Sequence, residues 1–534
     1  MNRWLNRANS RLSLSAAATL LVGATLFGQI LGFMRYQIIN ANFPANGPSS
    51  TDAYFAAFKI PDLFFYTIAA GAFGVALMPF LADKLERGDR RGMWQLVSSL
   101  LNLIGIIMLV IGLGILLFAE QLIRWIISSE MSPQQLHNAA TIMRLVALNP
   151  LLFSVSGILT SVQQTYGRFF FFAVAPIVYN LSIIMSVFLF RDNIGITGLG
   201  IGALVGAVLQ LFVACFGLFG LGFKYFPTIR FKSADFRSLM RQLPIRSLDQ
   251  GIDAINSIVE TNRARKLGEG VITFYENAYA LHNVPIILVG SSIATAVFPR
   301  LNRRLSQGRS DLFRRDFIQV LKVTIWIIMP VVIIGYFARG YLARIIYKND
   351  APEIALIFGF LAGAILFRTI YLLMSRYFYA RKNNVTPLLV SLFAIALNVV
   401  LVFNLARPSA YGMTGLAMAQ SIVAAVEVAI LVTIILWKDR QVFNMAFVAW
   451  LTKVFSVSGF ALLTTFIMIT IVPLSGTERG FISLGSKLFF IAAPTLLVYG
   501  AFSSLFGVGE IRPVLERLRR IMLKPVKLEL PTQR

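Results

Sequence analysis

The chain has 534 residues, of which 57% are hydrophobic and only 14% are charged, and its formal net charge is +25. A soluble protein of this length needs charged residues to cover its outside, so the composition excludes an ordinary soluble globular domain. The basic excess does not indicate a nucleic-acid partner, because Lys and Arg are concentrated in short loops between apolar segments. A single cysteine excludes a disulfide framework, and two widely separated histidines predict no metal site.

Apolar segments long enough to cross about 30 Å of hydrocarbon recur along the whole chain. They predict an all-α integral membrane protein with about fourteen transmembrane helices. The predicted spans are roughly 14–39, 53–81, 94–118, 139–162, 169–190, 198–223, 245–265, 271–298, 317–337, 352–375, 386–405, 413–437, 447–473 and 480–506.

The distribution of basic residues predicts the orientation of these helices. The N-terminus, the loops on the same side of the membrane and the C-terminal tail hold 31 of the 49 Lys and Arg residues. Short loops rich in these residues stay in the cytoplasm. We therefore expect both termini to be cytoplasmic.

Five residues recur at an offset of 220 positions. Ala76, Pro79, Leu81, Leu85 and Gly88 match Ala296, Pro299, Leu301, Leu305 and Gly308. An even number of spans separates the copies, so the sequence predicts two parallel six-helix repeats, related by an axis along the membrane normal. We expect an N-terminal lobe over 1–223, a C-terminal lobe over 224–437, an additional helix pair over 438–510 and a basic cytoplasmic tail over 511–534.

Ionisable side chains within the spans are candidates for function, because they are costly in hydrocarbon. Arg246, Asp249, Asp253 and Glu260 share one face of the seventh span, and we expect that face to line a water-filled cavity. Other charges in or beside the spans are Arg35, Asp52, Lys59, Asp62, Arg144, Glu276, Lys322, Arg368, Glu427, Lys453 and Lys487. The alternative for Lys59, Asp62, Lys453 and Lys487 is that they extend to the membrane surface or form one structural ion pair. The alternative for Arg368 and Glu427 is a structural pair between helices.

The sequence contains no phosphate-binding glycine loop of the Walker type and no recognisable set of catalytic side chains. We therefore predict a transporter rather than an enzyme, with no cofactor. Its energy would come from an ion gradient, the membrane potential or the gradient of the substrate itself.

Several motifs resemble those of the MurJ (MviN) family of lipid II flippases, which belongs to the same superfamily as the MATE drug exporters and the polysaccharide flippases. In the first half they are Leu31 to Arg35, Thr51 to Pro61, and Gly71-Ala-Phe with Pro79; in the second half they are Phe298 to Leu301, Tyr377 to Ala380 with Thr386-Pro387, and Gly412 to Ala417. The resemblance covers roughly residues 20 to 437. It implies two six-helix lobes around a cationic cavity, and a C-terminal helix pair that forms a groove for a lipid tail.

The resemblance also implies a function. We expect an alternating-access flippase that carries lipid II from the cytoplasmic to the outer leaflet of a bacterial inner membrane, acting as a monomer among membrane lipids. Arg35 would hold the diphosphate through bidentate hydrogen bonds, with Arg246 or Arg144 as a further cation, and Asp52 would orient Arg35 or the second helix.

On the seventh span, Asp249, Asp253 and Glu260 are the candidates for binding a monovalent coupling cation or the amines of the substrate peptide. No metal site is expected among them.

The chain departs from the family pattern at four positions where charged residues are usual. These positions hold Gln29, Phe65, Ala70 and Ala280. Arg144, Arg246 and Arg265 are candidates to replace the missing cations. Three alternatives therefore stay open: a flippase for another polyprenyl-diphosphate-linked glycan, a MATE-like cation antiporter, and a binding scaffold without transport activity.

Overall fold

The computed structural model describes residues 14–69, 77–128, 130–347, 350–475, 478, 480–512 and 516. Within these residues the chain is helical and has no β-strand. The helices of the first half are α1 (Leu14–Asn42), α2 (Thr51–Phe64), α3 (Leu77–Glu86), α4 (Arg90–Leu122), α5 (Pro133–Val146), α6 (Asn149–Thr165), α7 (Phe170–Phe190) and α8 (Thr197–Phe216). The second half contains α9 (Ala234–Arg265), α10 (Val271–Pro285), α11 (Ser292–Ser306), α12 (Ser310–Phe337), α13 (Arg339–Ile346), α14 (Ala351–Ala380), α15 (Val385–Leu405), α16 (Thr414–Lys438), α17 (Met445–Ile471) and α18 (Phe481–Leu505).

Eleven helical segments in the described part of the chain are long and apolar enough to cross a membrane. The three remaining predicted spans are also helical where they are described. The first lies in α1, the second is divided between α2 and α3, and the seventh lies in the polar helix α9. The prediction of an all-α membrane protein with about fourteen transmembrane helices is therefore confirmed.

Contacts between helix ends agree with a chain that crosses the membrane at every span. On one side, Arg191 donates to Asn42 at 2.6 Å and Asn262 donates to the carbonyl of Ile127 at 2.7 Å. On the other side, Lys84 pairs with Asp235 at 2.8 Å. Helix ends that the alternation of spans assigns to the same side do meet.

The two halves repeat their local backbone geometry as well as their sequence. A π-helical turn over Phe65–Ala69 precedes α3, and another over Ile286–Ser291 precedes α11. Both helices carry the matching proline, and two residues after the end of each lies a glycine with a positive φ, +72° at Gly88 and +70° at Gly308. Such a backbone favours glycine, which has no Cβ to clash. The expected parallel repeats are thus visible in the fold.

A second pair of matching glycines has the same structural role in each half. Gly198 is the second residue of α8, and a Cβ there would come within 2.3 Å of Phe190 at the end of α7. Gly415 is the second residue of α16, and its Cβ would come within 2.3 Å of the carbonyl oxygen of Leu405. In each half, then, a glycine allows one helix to start against the end of the previous one.

The chain divides into two compact units. The first comprises Met1–Ala280, Ile346–Ile357 and Ser391–Val423, and the second comprises Leu281–Ile345, Phe358–Val390 and Ala424–Arg534. An apolar core around Trp94 lies in the first unit, and another around Tyr377 lies in the second. The lobe boundaries expected at 223 and 437 stay a prediction.

Candidate functional site

Asp52 forms the first polar node of the first unit. Its carboxylate is 1% exposed and accepts hydrogen bonds from the backbone N–H groups of Gly270 (2.8 Å) and Thr273 (2.9 Å) and from the Thr273 hydroxyl (2.7 Å). The two N–H groups belong to the start of α10, where the helix itself supplies no acceptors. Asp52 therefore holds the beginning of α10 against α2. A role of Asp52 in binding substrate stays a prediction.

Arg265, at the end of α9, completes this node. Its side chain is 4% exposed, and its Nη1 lies 3.6 Å from Asp52 Oδ2. Its Nη2 donates to Gln135 Oε1 at 2.8 Å and to the carbonyl of Glu130 at 3.2 Å. Gln135 also forms the capping box of α5 with Ser132. Arg265 is thus engaged in joining α9, α5 and α2, and it does not supply the free cation that the sequence allowed for.

Lys59 and Glu276 form a second, central node. Lys59 lies on α2 with its side chain 13% exposed, and its ammonium group contacts the Glu276 carboxylate on α10. The same group donates to Ser257 of α9 at 2.7 Å. The sequence suggested Asp62 as the partner of Lys59. Instead Lys59 is neutralised by a residue more than 200 positions away, and Asp62 is in no salt bridge with any residue that the structure describes.

Arg35, the predicted diphosphate ligand, lies half-buried on α1. Three tyrosines from α1, α2 and α7 contribute to the electrostatic environment of its guanidinium: Tyr36, Tyr54 and Tyr179. The guanidinium carbon lies 5.3 Å from the centroid of the Tyr36 ring. The buried Nε has no hydrogen-bond partner, and Arg35 is in no salt bridge within the described part of the chain. This cation is therefore surrounded mainly by phenol groups, and the carboxyl group of Asp62 acts on it electrostatically without forming a salt bridge.

The other predicted cations of the substrate site are Arg144 and Arg246. Arg144 is half-buried near the end of α5, and its side chain forms neither a hydrogen bond nor a salt bridge with a described residue. Arg246 and Asp249 belong to the helical backbone of α9, but their side chains lie outside the described residues. Whether Arg144 or Arg246 accompanies Arg35 in binding substrate stays a prediction.

The polar face of α9 is not uniformly accessible, contrary to our expectation. Asp253 is exposed, whereas Glu260, two turns further along, is only 4% exposed. Three amide side chains donate to one oxygen of Glu260: Asn256 (3.0 Å), Asn398 (3.0 Å) and Gln420. Glu260 therefore joins α9 to α15 and α16, and a role in ion coupling stays a prediction for both carboxylates.

In the second unit, Arg368 of α14 and Glu427 of α16 form the interhelical ion pair that the sequence offered as an alternative to a functional role. Their atoms Nη1 and Oε2 lie 2.7 Å apart, and Glu427 is 3% exposed. A buried carboxylate needs such a partner, because an isolated charge in a low-dielectric interior is costly.

The sequence identified the charged residues within the spans, but it did not show which residues they contact. Glu276 and Lys59 were recognised as charges within spans, but no local spacing connects positions so far apart in the chain. The tyrosines around Arg35 carried no signal, because aromatic residues are common in membrane helices. The repeat offers the one usable clue: the contacts of Asp52 with Gly270 and Thr273, and of Lys59 with Glu276, join positions of the first half to positions about 220 residues later.

The arrangement can bind an anion. Within the described residues of the first unit, two of the interior cations, Lys59 and Arg265, already face carboxylates. Arg35 faces hydroxyl groups, which can donate hydrogen bonds to phosphate oxygens. A guanidinium group forms two parallel hydrogen bonds to phosphate, so this position suits a phosphate or diphosphate group.

Comparisons with known proteins identify the family of the chain. The family described as "Lipid II flippase MurJ" matches residues 47–490. A probable lipid II flippase MurJ from Borreliella burgdorferi is 25% identical over 427 residues, which cover 78% of this chain and 83% of the relative. A relative of the same description from Buchnera aphidicola is 25% identical over 480 residues and covers 88% of this chain and 92% of its own length. The lipid II flippase MurJ of Burkholderia cenocepacia is 24% identical, covering 74% of this chain and 78% of the relative.

Solved structures show the same fold. A lipid II flippase MurJ in an inward closed conformation superimposes with a TM-score of 0.74 at 23% identity, covering 91% of this chain and 98% of that one. A MATE family transporter of the MOP superfamily in an inward-facing conformation gives a TM-score of 0.65 at 13% identity and covers 78% of this chain and 96% of that one. Because the family match spans most of the chain, the protein belongs to the lipid II flippase MurJ family.

Proposed function

We propose that this protein is a lipid II flippase that works by alternating access. The observation that carries the proposal is the placement of Arg35, a half-buried cation inside a membrane protein that faces tyrosines and forms no salt bridge with a described residue. Membership of the MurJ family supports lipid II as the substrate. The comparisons do not favour the other candidates, a flippase for a different glycan or a MATE-like antiporter.

The physical problem of flipping explains why such a cation is useful. Lipid II has a diphosphate and a large polar head group, neither of which can enter hydrocarbon unaided. A charge at the bilayer centre costs several kcal/mol, and a paired cation reduces that cost. Arg35 would neutralise part of the diphosphate charge, while the hydroxyl groups of Tyr36, Tyr54 and Tyr179 offer hydrogen bonds without adding charge.

Further parts of the proposal concern location and energy. We place the protein as a monomer in the cytoplasmic membrane of a bacterium with both termini inside, as the bias of basic residues suggests. The driving force would be the membrane potential or a monovalent cation. Exposed Asp253 is the best-placed described carboxylate of α9 for such an ion.

The function is tested with purified protein in sealed lipid vesicles. Lipid II, a polyprenyl diphosphate carrying a different glycan, and a cationic drug are offered separately, and movement between leaflets is measured per folded protein. We expect transport of lipid II. Transport of only the other glycan, or only of the drug, would assign the protein to one of the alternatives, and no transport at all under an imposed membrane potential would contradict the proposal.

The orientation is tested by labelling a cysteine introduced at Ser306, in a Cys215→Ser background. Ser306 ends α11, within the basic loop between α11 and α12. A membrane-impermeant thiol reagent added to intact cells should not react with it. A cysteine at Ala410, in the loop between α15 and α16, should react and serves as the positive control. Labelling at position 306 from outside would reverse the proposed topology.

A further inference from the structure

A cavity separate from the Arg35 site lies in the first unit, where α3, α4 and the segment before α9 meet. Its volume is about 370 Å³, within the range of roughly 300–1,000 Å³ typical of ligand pockets. Its lining includes Lys84 at the end of α3, Arg91 in the first turn of α4, and Arg230 in the segment before α9. We call it the basic cavity. It lies at the side of the membrane that we propose to be cytoplasmic.

The charges of the basic cavity are only partly balanced. Lys84 contacts Asp235 at 2.8 Å and Asp89 at 3.2 Å, and Asp89 also lines the cavity. Arg91 and Arg230 are exposed, and neither forms a salt bridge with a described residue. Lys84, Arg91 and Arg230 together carry one positive charge more than Asp89 and Asp235, and the two arginines are the basic groups without an acidic partner.

The starts of two helices add to this positive character. Asp89 accepts from the Gly92 N–H and caps α4, but the side chain of Ser233, the residue before α9, makes no capping hydrogen bond. Ser233 lines the basic cavity. The first N–H groups of a helix lack partners within the helix and carry a partial positive charge, which favours an anion.

Gln95 is an independent sign that the basic cavity holds a ligand. This residue of α4 is 8% exposed and lines the cavity, yet its side-chain amide has no hydrogen-bond partner among the described residues. The residue as a whole is buried, but its amide group is not one of the buried side-chain groups that lack a partner, so the amide remains accessible from the cavity. An amide placed beside two unneutralised arginines can donate to an oxygen of a bound anion.

The segment that carries Arg230 is held firmly in position. Ser99 of α4 accepts from the Arg230 N–H at 3.2 Å, and Asn102 donates to the carbonyl groups of Phe226 (2.9 Å) and Thr228 (3.2 Å). The Phe226 N–H donates to Ser98 at 3.1 Å. These bonds fix the backbone of Arg230 against α4, so the basic cavity is built into the fold rather than formed by a chance approach of surface side chains.

From these contacts we infer that the basic cavity is a binding site for a phosphate group. Arg91 and Arg230 would pair with the phosphate oxygens, Gln95 would donate one hydrogen bond, and the start of α9 would add its free N–H groups. A ligand held this way connects α4 with the beginning of α9. Two sources share this chemistry: a soluble phosphate compound and the head group of an anionic phospholipid.

The test uses the purified full-length protein and two probes. In the first arm, inorganic phosphate is titrated at constant ionic strength, and binding is followed by equilibrium dialysis and by the rise in unfolding temperature that a bound ligand produces. In the second arm, the protein is placed in nanodiscs of phosphatidylcholine with or without phosphatidylglycerol, and the unfolding temperatures are compared. The double variant Arg91→Gln/Arg230→Gln and the single variant Gln95→Leu are measured in both arms.

The matched control is Arg303→Gln/Arg315→Gln, which removes two exposed arginines that are also in no salt bridge with a described residue. Phosphate affinity should fall at least about tenfold in Arg91→Gln/Arg230→Gln, since two charge-assisted hydrogen bonds are lost. It should fall several-fold in Gln95→Leu and stay unchanged in the control. The same pattern with phosphatidylglycerol alone would also support the site and identify a lipid as its ligand.

The inference is overturned if neither probe stabilises the protein, or if the stabilisation is equal in wild type, the Arg91→Gln/Arg230→Gln variant and the control. The site is distinct from the proposed flipping site, so this result would leave the flipping assay to be judged on its own.

Discussion

Two arginines in the first unit show how differently the same side chain can be used inside a membrane protein. Arg265 is 4% exposed and is surrounded by Asp52, the side chain of Gln135 and a backbone carbonyl group. Arg35 is half-buried, faces tyrosines and forms no salt bridge with a described residue. The first arginine is engaged in joining helices, whereas the second keeps its charge available.

This difference between Arg265 and Arg35 shows how to choose the charged residues within a span that should be tested for function. An ionisable group is costly in hydrocarbon in either case, so its presence alone does not separate the two uses. The partners do. Lys59 and Arg368 resemble Arg265, because each faces a carboxylate on another helix. Arg35 stands apart from all three.

The largest effect on stability is expected from Asp52→Ala, which would break the Arg265 node. The change removes the buried carboxylate from Arg265, which keeps only the exposed Glu269 at 3.4 Å, and it removes the acceptor at the start of α10. Loss of one partner of a buried ion pair typically costs about 3–5 kcal/mol. Thermal unfolding in detergent should show a clear fall in unfolding temperature.

The matched control for Asp52→Ala is Asp83→Ala, which breaks an exposed pair with Arg87 on α3. Such surface pairs contribute about 0–1 kcal/mol, so its unfolding temperature should barely move. If Asp52→Ala unfolds like the control but no longer flips lipid II, Asp52 belongs with Arg35 in the binding site and the division between the two arginines is wrong.

An intermediate effect on stability is expected from a change at Asp439, the residue after α16. Here two arginines stabilise a carboxylate at the end of a helix. Burial tends to raise the pKa of Asp439, but hydrogen bonds from Arg314 (2.8 Å) and Arg381 (2.7 Å) outweigh it and lower the pKa below its ordinary value. The folded state therefore binds a proton less readily than the unfolded state. The stability from this group is complete above the ordinary aspartate pKa of about 3.9 and is lost as pH falls through the lower, folded-state pKa.

The measurement is the unfolding temperature of wild type and Asp439→Asn as a function of pH. The variant should be less stable at neutral pH by roughly 1.5–3 kcal/mol, the usual contribution of hydrogen bonds to charged groups, and the difference should shrink as the wild-type aspartate is protonated. Asp311→Asn, at an exposed position without an ion pair in the described chain, should show no such trend. A difference independent of pH would mean that the charge of Asp439 is not what the two arginines stabilise.

The smallest effect is expected from Gln29→Arg, which restores a charge that the family usually carries. Gln29 is exposed on α1, and six residues place it on a different side of the helix from Arg35. An exposed charge pair contributes about 0.2–1 kcal/mol, so the apparent affinity for lipid II should rise by no more than about fivefold. Gln29→Met is the neutral control. A loss of flipping in Gln29→Arg alone would show that this position does not face a diphosphate path.

The fold could largely be predicted from the sequence, because length and apolarity define membrane spans and the 220-residue offset defines the repeat. The seventh span was recognised although α9 is too polar to qualify as an apolar helix. The π-helical turns before α3 and α11 were not predicted, and each contains a buried small residue, Ala69 or Gly290.

The site was less predictable for a physical reason. Spacing along one helix shows which residues share a face, and it placed Asp253 and Glu260 together on α9. It does not show what packs against that face, and so it missed that Asn398 and Gln420 bury Glu260. The resemblance to the family identified Arg35, but the tyrosines that distinguish it from Arg265 come from three separate helices.

The central claim is that Arg35 binds the diphosphate and Arg265 holds the fold, and one experiment compares them directly. Arg35→Lys, Arg35→Ala and Arg265→Ala are reconstituted in vesicles, and lipid II flipping per folded protein is measured beside the unfolding temperature. Loss of a buried charge partner typically costs about 2–5 kcal/mol, or roughly 30-fold to 4,000-fold in affinity. Arg35→Ala should therefore lose nearly all flipping at an unchanged unfolding temperature, and Arg35→Lys should keep part of it, because lysine retains the charge without the bidentate geometry. Arg265→Ala should instead lower the unfolding temperature. Wild-type flipping by Arg35→Ala would contradict the account.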